Sequence, residues 1–207
     1  MRIKFFVEEL SAEEALYNLV PKIIGPGHSI KIYSFQGKHD LLNNLSNRLK
    51  ALKRGFASDD RIVILIDEDR EDCKALKGKL ETIANASGFN SKSAVLPGTM
   101  FHVLNRIAVE ELEAWFFGDM NALLNAFPKL PASLREKASF RNPDGINGGT
   151  WEALERVLNK YGYYSGGIPK VELARAVSQH MNPQNNRSRS FQVFRDGLAE
   201  MVRTRHN

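Results

Sequence analysis

Residues 62–66, Ile-Val-Ile-Leu-Ile, form an unbroken apolar run dominated by β-branched side chains that ends directly in Asp67-Glu68-Asp69. A strand apolar at every position needs cover on both faces. That requirement selects a mostly parallel sheet whose crossover helices lie above and below it. The rest of the chain supplies matching elements. Ile3 to Val7 reads as a first strand, and Ser11-Ala-Glu-Glu can cap and open a helix to about Ile24. Pro21 can kink or end that helix early, and Gly25-Pro26-Gly27 stops it. Ile30, Ile32 and Ser34 alternate with Lys31, Tyr33 and Phe35 as a second strand, and Leu41, Leu42, Leu45, Leu49 and Leu52 recur at helical spacing. A third helix is expected from about Arg70 to Ala86. The fourth strand falls within 93–96 or 101–109, and a helix follows from Glu111 to Ala126 with Leu112, Trp115, Phe116, Leu123 and Leu124 on its core side.

Strand and helix alternate, so right-handed crossovers and an α/β fold are expected. Beyond the Asn-, Pro- and Gly-rich loop at 140–150, Thr150 is a fair N-cap for a helix from Trp151 to Tyr161. Pro169 opens a helix to about His180, and a last helix begins near Ser190 after the polar break 182–188. The reading is one domain over 1–207, with an α/β core at about 1–128 and helical additions from about 129 onward.

The chain carries a formal charge of +5 with a pI near 9.3, and position matters more than the total. From Lys170 onward there are seven Lys or Arg (the last Arg205) against three acids, leaving 22 basic and 21 acidic residues elsewhere. That segment is either a solvated basic tail or a phosphate-contacting surface. Arg187 and Arg189 flank serines at a helix start, where guanidinium forks, hydroxyls and free backbone donors can hold a phosphate without reading bases. The start, MRIKFFVEEL, has too short an apolar stretch for a signal peptide, and no run approaches a membrane span. With a single cysteine, Cys73, no internal disulfide can form. A cytoplasmic protein without membrane contact is the expectation.

In open parallel sheets, ligands collect beyond the carboxyl ends of the strands. Glu8 follows the first strand there and Asp67 follows the third. If strand geometry persists, Asp67 and Asp69 point to the same side and can share a hard cation with Glu8. Mg²⁺ or Mn²⁺ suits such a set, keeping positions for phosphate oxygens and an attacking water. The alternative is that these acids only cap the helices that follow them. An EF-hand is excluded, since the sixth position counted from Asp67 is Asp72 where Gly is needed. The five histidines lack paired ligand spacing, and no Ser-His-Asp or Gly-rich phosphate-loop pattern stands out.

Val7-Glu8-Glu9 and Ile66-Asp67-Glu68-Asp69-Arg70-Glu71 resemble the Toprim fold of topoisomerases, bacterial primases and overcoming-lysogenization-defect nucleases, in which a Glu ends the first strand and Asp-x-Asp a later one. One departure is Glu9, where the family usually has Gly. The whole chain more closely resembles a Toprim-like family of unknown function (domain of unknown function 4276) that includes the AriB effector nuclease of PARIS phage-defence systems. Glu111-Leu-Glu113-Ala-Trp115 and Asn186-Arg187-Ser188-Arg189-Ser190-Phe191 carry that likeness. The resemblance implies a Mg²⁺-dependent endonuclease acting on DNA or RNA, working as a defence effector with a separate ATPase protein, since this chain has no ATPase motif. Within it Glu111 would complete the metal shell while Glu113, two residues on, faces elsewhere, unless both merely cap or solvate their helix. Lys170 resembles the basic residue near the scissile phosphate in related nucleases, and its plain alternative is a solvated lysine. Topoisomerase transesterification is unexpected, because the chain is too short for the second domain that supplies a nucleophilic Tyr. The competing function is a non-catalytic Toprim-like module that binds nucleic acid or a protein partner.

Overall fold

A computed structural model describes residues 1–69, 71–146, 148–164 and 166–204. Arg70 of the acidic motif and Arg205 of the basic segment lie outside the described residues. Strands β1 (Arg2–Val7), β2 (Ser29–Ser34), β3 (Asp60–Asp67) and β4 (Val103–Ala108) form one all-parallel sheet in the order β2-β1-β3-β4. The chain runs outward from β1 to β2 and then crosses back to place β3 on the other side of β1. The topological switch therefore lies between β1 and β3, where Val7 stands beside Leu65.

The apolar run in β3 divides as its pattern requires. Ile62, Ile64 and Ile66 join the core beneath α2 (Lys38–Lys53) and α3 (Cys73–Ala86), whereas Val63 and Leu65 join the opposite core with α1 (Leu10–Ile24). Each such buried side chain contributes about 1.5–3 kcal/mol. The second core also takes α4 (Glu113–Gly118), α5 (Met120–Ala126), α6 (Thr150–Lys160), α7 (Lys170–His180) and α8 (Arg189–Arg203). Helices of the C-terminal part thus share one apolar cluster with β1, and α7 packs along α1. Among the described residues no helix is long and apolar enough to cross a membrane.

α1 runs through Pro21 to Ile24, the end expected from the sequence, with Pro21 and Tyr17, whose carbonyl the proline leaves without a helical donor, both on the exposed side. Other element ends differ from the sequence reading. The N-cap of α1 is Glu9, not Ser11, whose hydroxyl lies 3.4 Å from Glu9 Oε2. α3 starts at Cys73 with Asp72 as its cap, accepting from the Ala75 N–H at 2.7 Å. The expected helix 111–126 is broken at Asp119, whose carboxylate accepts the Ala122 N–H at 3.2 Å and the Asn182 N–H at 2.8 Å. The fourth strand is the later candidate, and Lys92–Ala94 is a single 3-10 turn. At α6 the N-cap is Gly149 rather than Thr150.

The two family-like segments, far apart in sequence, meet in space. Trp115 Nε1 donates to Ser190 Oγ at 2.9 Å, and Asn186 Nδ2 donates to the Trp115 carbonyl at 2.7 Å. Ser188 caps α8 by accepting the Phe191 N–H at 3.1 Å and donates to Asp144 Oδ1 at 2.6 Å, while Asp144 Oδ2 accepts the Ser190 N–H at 2.8 Å. Asp144 therefore occupies the helix start where the sequence suggested a phosphate. Gly118 closes this lock, since a Cβ there would overlap the Asn186 amide, which is buried and bonded at both ends. Gly118→Ala is expected to lower unfolding free energy by about 1–3 kcal/mol in urea titrations. Gly78→Ala, in α3 with open space around it, should instead stabilise by about 0.5–1 kcal/mol.

Candidate active site

Glu8 is the first residue beyond β1 and Asp67 is the last of β3. The neighbouring strands bring them together. Glu8 Oε2 accepts the backbone N–H of Asp67 at 3.2 Å, with Glu8 only 9% exposed. Burial raises the Glu8 carboxyl above its ordinary range against the pull of that N–H, and the charge of Asp69 raises it further. Asp67 is held well above the usual carboxylate range, first by burial and then by the charges of Glu113, Glu8 and Asp69. A hydrogen bond from the Leu112 backbone offsets part of this.

Glu113 corrects the expectation that it faces away. It is 3% exposed, its charge acts on Asp67, and burial pushes its pKa up to about 7 despite the opposing Lys170 ammonium. The cause is local. Glu110 takes a left-handed conformation (φ 61°), so the chain turns sharply after β4 and α4 begins at Glu113 rather than at Glu111. Glu111 itself accepts the Trp151 N–H at 2.7 Å and the Thr150 hydroxyl at 2.9 Å, and so caps α6.

Strand geometry does not continue to Asp69. β3 ends at Asp67, and Asp69 is left-handed (φ 54°) and exposed, its N–H bonded to the Glu110 carbonyl at 2.8 Å. The two aspartates therefore do not share one side of a strand. Asp69 Oδ2 instead pairs with Lys38 Nζ at 2.7 Å. The same ammonium lies 3.2 Å from Glu71 and donates to the Glu68 carbonyl at 3.0 Å. Burial works against the Lys38 charge, but the bonds to Asp69 and Glu71 outweigh it and raise its pKa. Lys170, the first residue of α7, lies 3.9 Å from Glu9 and 4.8 Å from the centre of the Trp151 ring. Its burial is likewise outweighed, chiefly by Glu113 and then by Glu9, Glu111 and Asp67. An open cavity of about 560 Å³ adjoins the rim, walled by Asp69, Glu71, Glu110, Glu111 and Glu152 with Gly148 and Gly149.

Among the described residues no three His, Cys, Asp or Glu are grouped as ligands of one metal ion with the side chains as they stand. The donor chemistry nonetheless fits a hard divalent cation. Glu8, Asp67 and Glu113 are oxygen donors of the kind such a cation takes, and burial first, with neighbouring carboxylate charge after it, raises the pKa of each. Arg187 and Arg189 are not part of this group. Both are exposed, and the Arg187 N–H bonds to the Gly118 carbonyl at 2.9 Å, at the end of α4 opposite Glu113 and about 7–8 Å along its axis. Arg187 and Arg135 line a hollow of about 230 Å³ beside Asp119.

A family model described as "Domain of unknown function (DUF4276)" matches residues 7–199. The chain belongs to the DUF4276 family. Neither a curated protein nor a solved structure matches it.

In this DUF4276 chain the sequence reading missed Lys38 and Asp144, and it favoured Glu111 over Glu113. Lys38 had a signal: it follows β2 at the same rim on which Glu8 follows β1. Glu113 was masked by uncertainty over where its helix begins, and Asp144 by a loop without periodicity.

Titration supplies a test of this cluster. A carboxyl whose folded pKa is raised binds protons more tightly in the folded chain, so stability falls as pH rises through the interval between the two values. For Glu113 that interval runs from the ordinary 4.5 to about 7. With a chelator present, Glu113→Gln is expected to melt higher than wild type above about pH 7, the advantage vanishing below about pH 4.5. Each kcal/mol of relieved cost of burying that charge adds about 2–4 °C in thermal melts.

Proposed function

We propose that this domain is a divalent-metal-dependent, Toprim-type hydrolase of nucleic-acid phosphodiesters. The observation that carries the reading is the joining of Glu8 to Asp67 at the β1/β3 switch point, with Glu113 buried and its charge acting on Asp67. Glu8, Asp67 and Glu113 would hold Mg²⁺ or Mn²⁺, with Asp69 available once Lys38 releases it. When bound, the cation supplies neutralisation of phosphate charge and an acidified water.

The chain's own residues do the rest. Lys170, held between Glu9 and the Trp151 ring, presents an ammonium at the rim that can receive a phosphate oxygen. Lys38 fixes the turn carrying Asp69 and Glu71. Glu111 serves by capping α6 and so fixing Trp151 under Lys170. Exposed Arg187 and Arg189 supply phosphate contacts away from the acids. The likeness to AriB extends the proposal to a phage-defence effector acting on DNA or RNA and restrained by a separate ATPase. The ion pair between Asp69 and Lys38 favours the second reading, a binding module whose acids are structural.

Purified protein should nick plasmid DNA, single-stranded DNA or tRNA with Mg²⁺ or Mn²⁺ and not with EDTA, alone or with any ATPase encoded beside it. Asp67→Asn should abolish cleavage while remaining folded, and should lose the Mn²⁺-induced rise in melting temperature. A variant that cleaves like wild type in both settings would replace the enzyme with the module. In EDTA, Arg187→Ala and Arg189→Ala should each flatten the salt dependence of nucleic-acid binding by about 0.7–0.9. An unchanged slope would assign the arginines to the fold or a protein partner.

A further inference from the structure

A second cavity, of about 450 Å³, lies between α6 and the 3-10 turns that precede it. Phe140, Ile146 and Val157 form its floor, none more than 7% exposed, and Lys137, Arg156 and Lys160 stand exposed around it. No acidic side chain is among its described lining residues. Lys137 Nζ sits 5.4 Å from the centre of the Phe140 ring and Lys160 Nζ 5.7 Å from that of Tyr161. The ammoniums are thus steadied at the mouth by aromatic faces and keep their full charge for a ligand.

The volume falls in the usual range of small-molecule sites, about 300–1,000 Å³, so the cavity suits a compact body. Three cations over an apolar floor call for a flat, largely apolar group joined to several negative charges. A nucleotide with an unpaired base has that chemistry. In a duplex the base faces are already stacked and hidden, and an acidic peptide brings charge without the flat body. Placement agrees. α6 starts at the acidic rim, where Trp151 is bonded to Glu111, and Arg156 lies about 7–8 Å further along its axis. The two ends of α6 therefore lie close enough for one nucleic-acid strand to reach both.

We propose that this cavity holds an unpaired nucleotide of single-stranded nucleic acid, the base against Ile146 and Val157 beside Phe140, whose ring stacks on Phe117 and carries Lys137, and the phosphates on Lys137, Arg156 and Lys160. The choice of ligand rests on the nucleic-acid reading of the acidic rim, but the site is separate and is tested by binding alone. The full-length chain in EDTA is titrated with a fluorescein-labelled single-stranded oligonucleotide across a salt series, with anisotropy as readout. Arg156→Ala combined with Lys160→Ala is expected to weaken binding by at least about tenfold and to reduce the salt slope by about 1.4. Ser139→Trp fills the cavity while leaving every charge in place. It should weaken the single strand and leave a duplex of the same sequence unaffected. Both variants should keep the wild-type circular dichroism and the Mn²⁺-induced rise in melting temperature, which separates this cavity from the rim. An unchanged salt slope, or wild-type affinity in Ser139→Trp, overturns the proposal. A polyglutamate peptide that competes with the oligonucleotide and loses affinity in Ser139→Trp overturns it in favour of an acidic protein partner. Absence of cleavage together with the expected binding losses would sink the hydrolase and leave this site standing.

Discussion

Parallel strands cannot be joined by tight turns, so each must return through a crossover, and every strand then ends on the same side of the sheet. In this chain that geometry gathers Glu8, Asp67, Asp69 and the acids after β4 along one rim. Two unit charges about 4 Å apart repel by about 4 kcal/mol at an effective dielectric of 20. The cluster therefore persists only with compensation, and the surrounding groups supply some. The N–H groups of Asp67 and Leu112 face carboxylates, Lys38 neutralises the outer acids, and Lys170 draws on Glu113 and Glu9. The pKa values of the inner trio still move upward, first through burial and then through the charges of neighbouring carboxylates.

The distinction between structural and chemical acids follows from the same accounting. Asp72, Asp119, Asp144 and Glu111 each accept from backbone N–H groups at the start of a helix, so each has a structural task there. Glu68 is committed in the same way to the Glu110 N–H at 3.1 Å. Asp67 also accepts an N–H, that of Leu112 at the start of α4, but in Asp67 and Glu113 burial outweighs such bonds and raises the pKa. An acid's neighbours in sequence do not separate these roles, as the pair Glu111 and Glu113 demonstrates: they stand two residues apart, one a cap and the other facing Asp67.

Much of the architecture was legible because its signals are local. The apolar run 62–66, the leucine spacing of α2 and the glycines after α1 fixed element types, and the acids at two strand ends pointed to the rim. What escaped depends on single backbone angles or distant partners. Left-handed Asp69 and Glu110 change where their carboxylates point, yet neither is Gly, the residue that announces such a turn most plainly. Pro21 left open whether α1 would stop early, because sequence does not say that the proline lies on the exposed side of the helix. The serines before α8 looked ready for a phosphate because nothing near them in sequence foretells that Asp144 reaches their hydroxyls.

Charge layout imposes a further condition on any polyanionic partner. The acidic cavity carries five carboxylates, so its field repels phosphates at close range, and attraction must come from elsewhere on the surface. Basic surface is available along α6 at Arg156 and Lys160 and beyond the far end of α4 at Arg187. Screening makes this division workable. At physiological salt the Debye length is about 8 Å, comparable with the separation along α6 between Trp151 and Arg156 and along α4 between Glu113 and Gly118. Phosphates seated on the cations are then largely shielded from the acids, and only the segment spanning the rim meets the repulsion directly. That segment is the one a bound divalent cation would relieve, so binding away from the rim and chemistry at it become separable steps. Variants that strip the basic surfaces should act on association, and variants of the inner carboxylates on the rim itself.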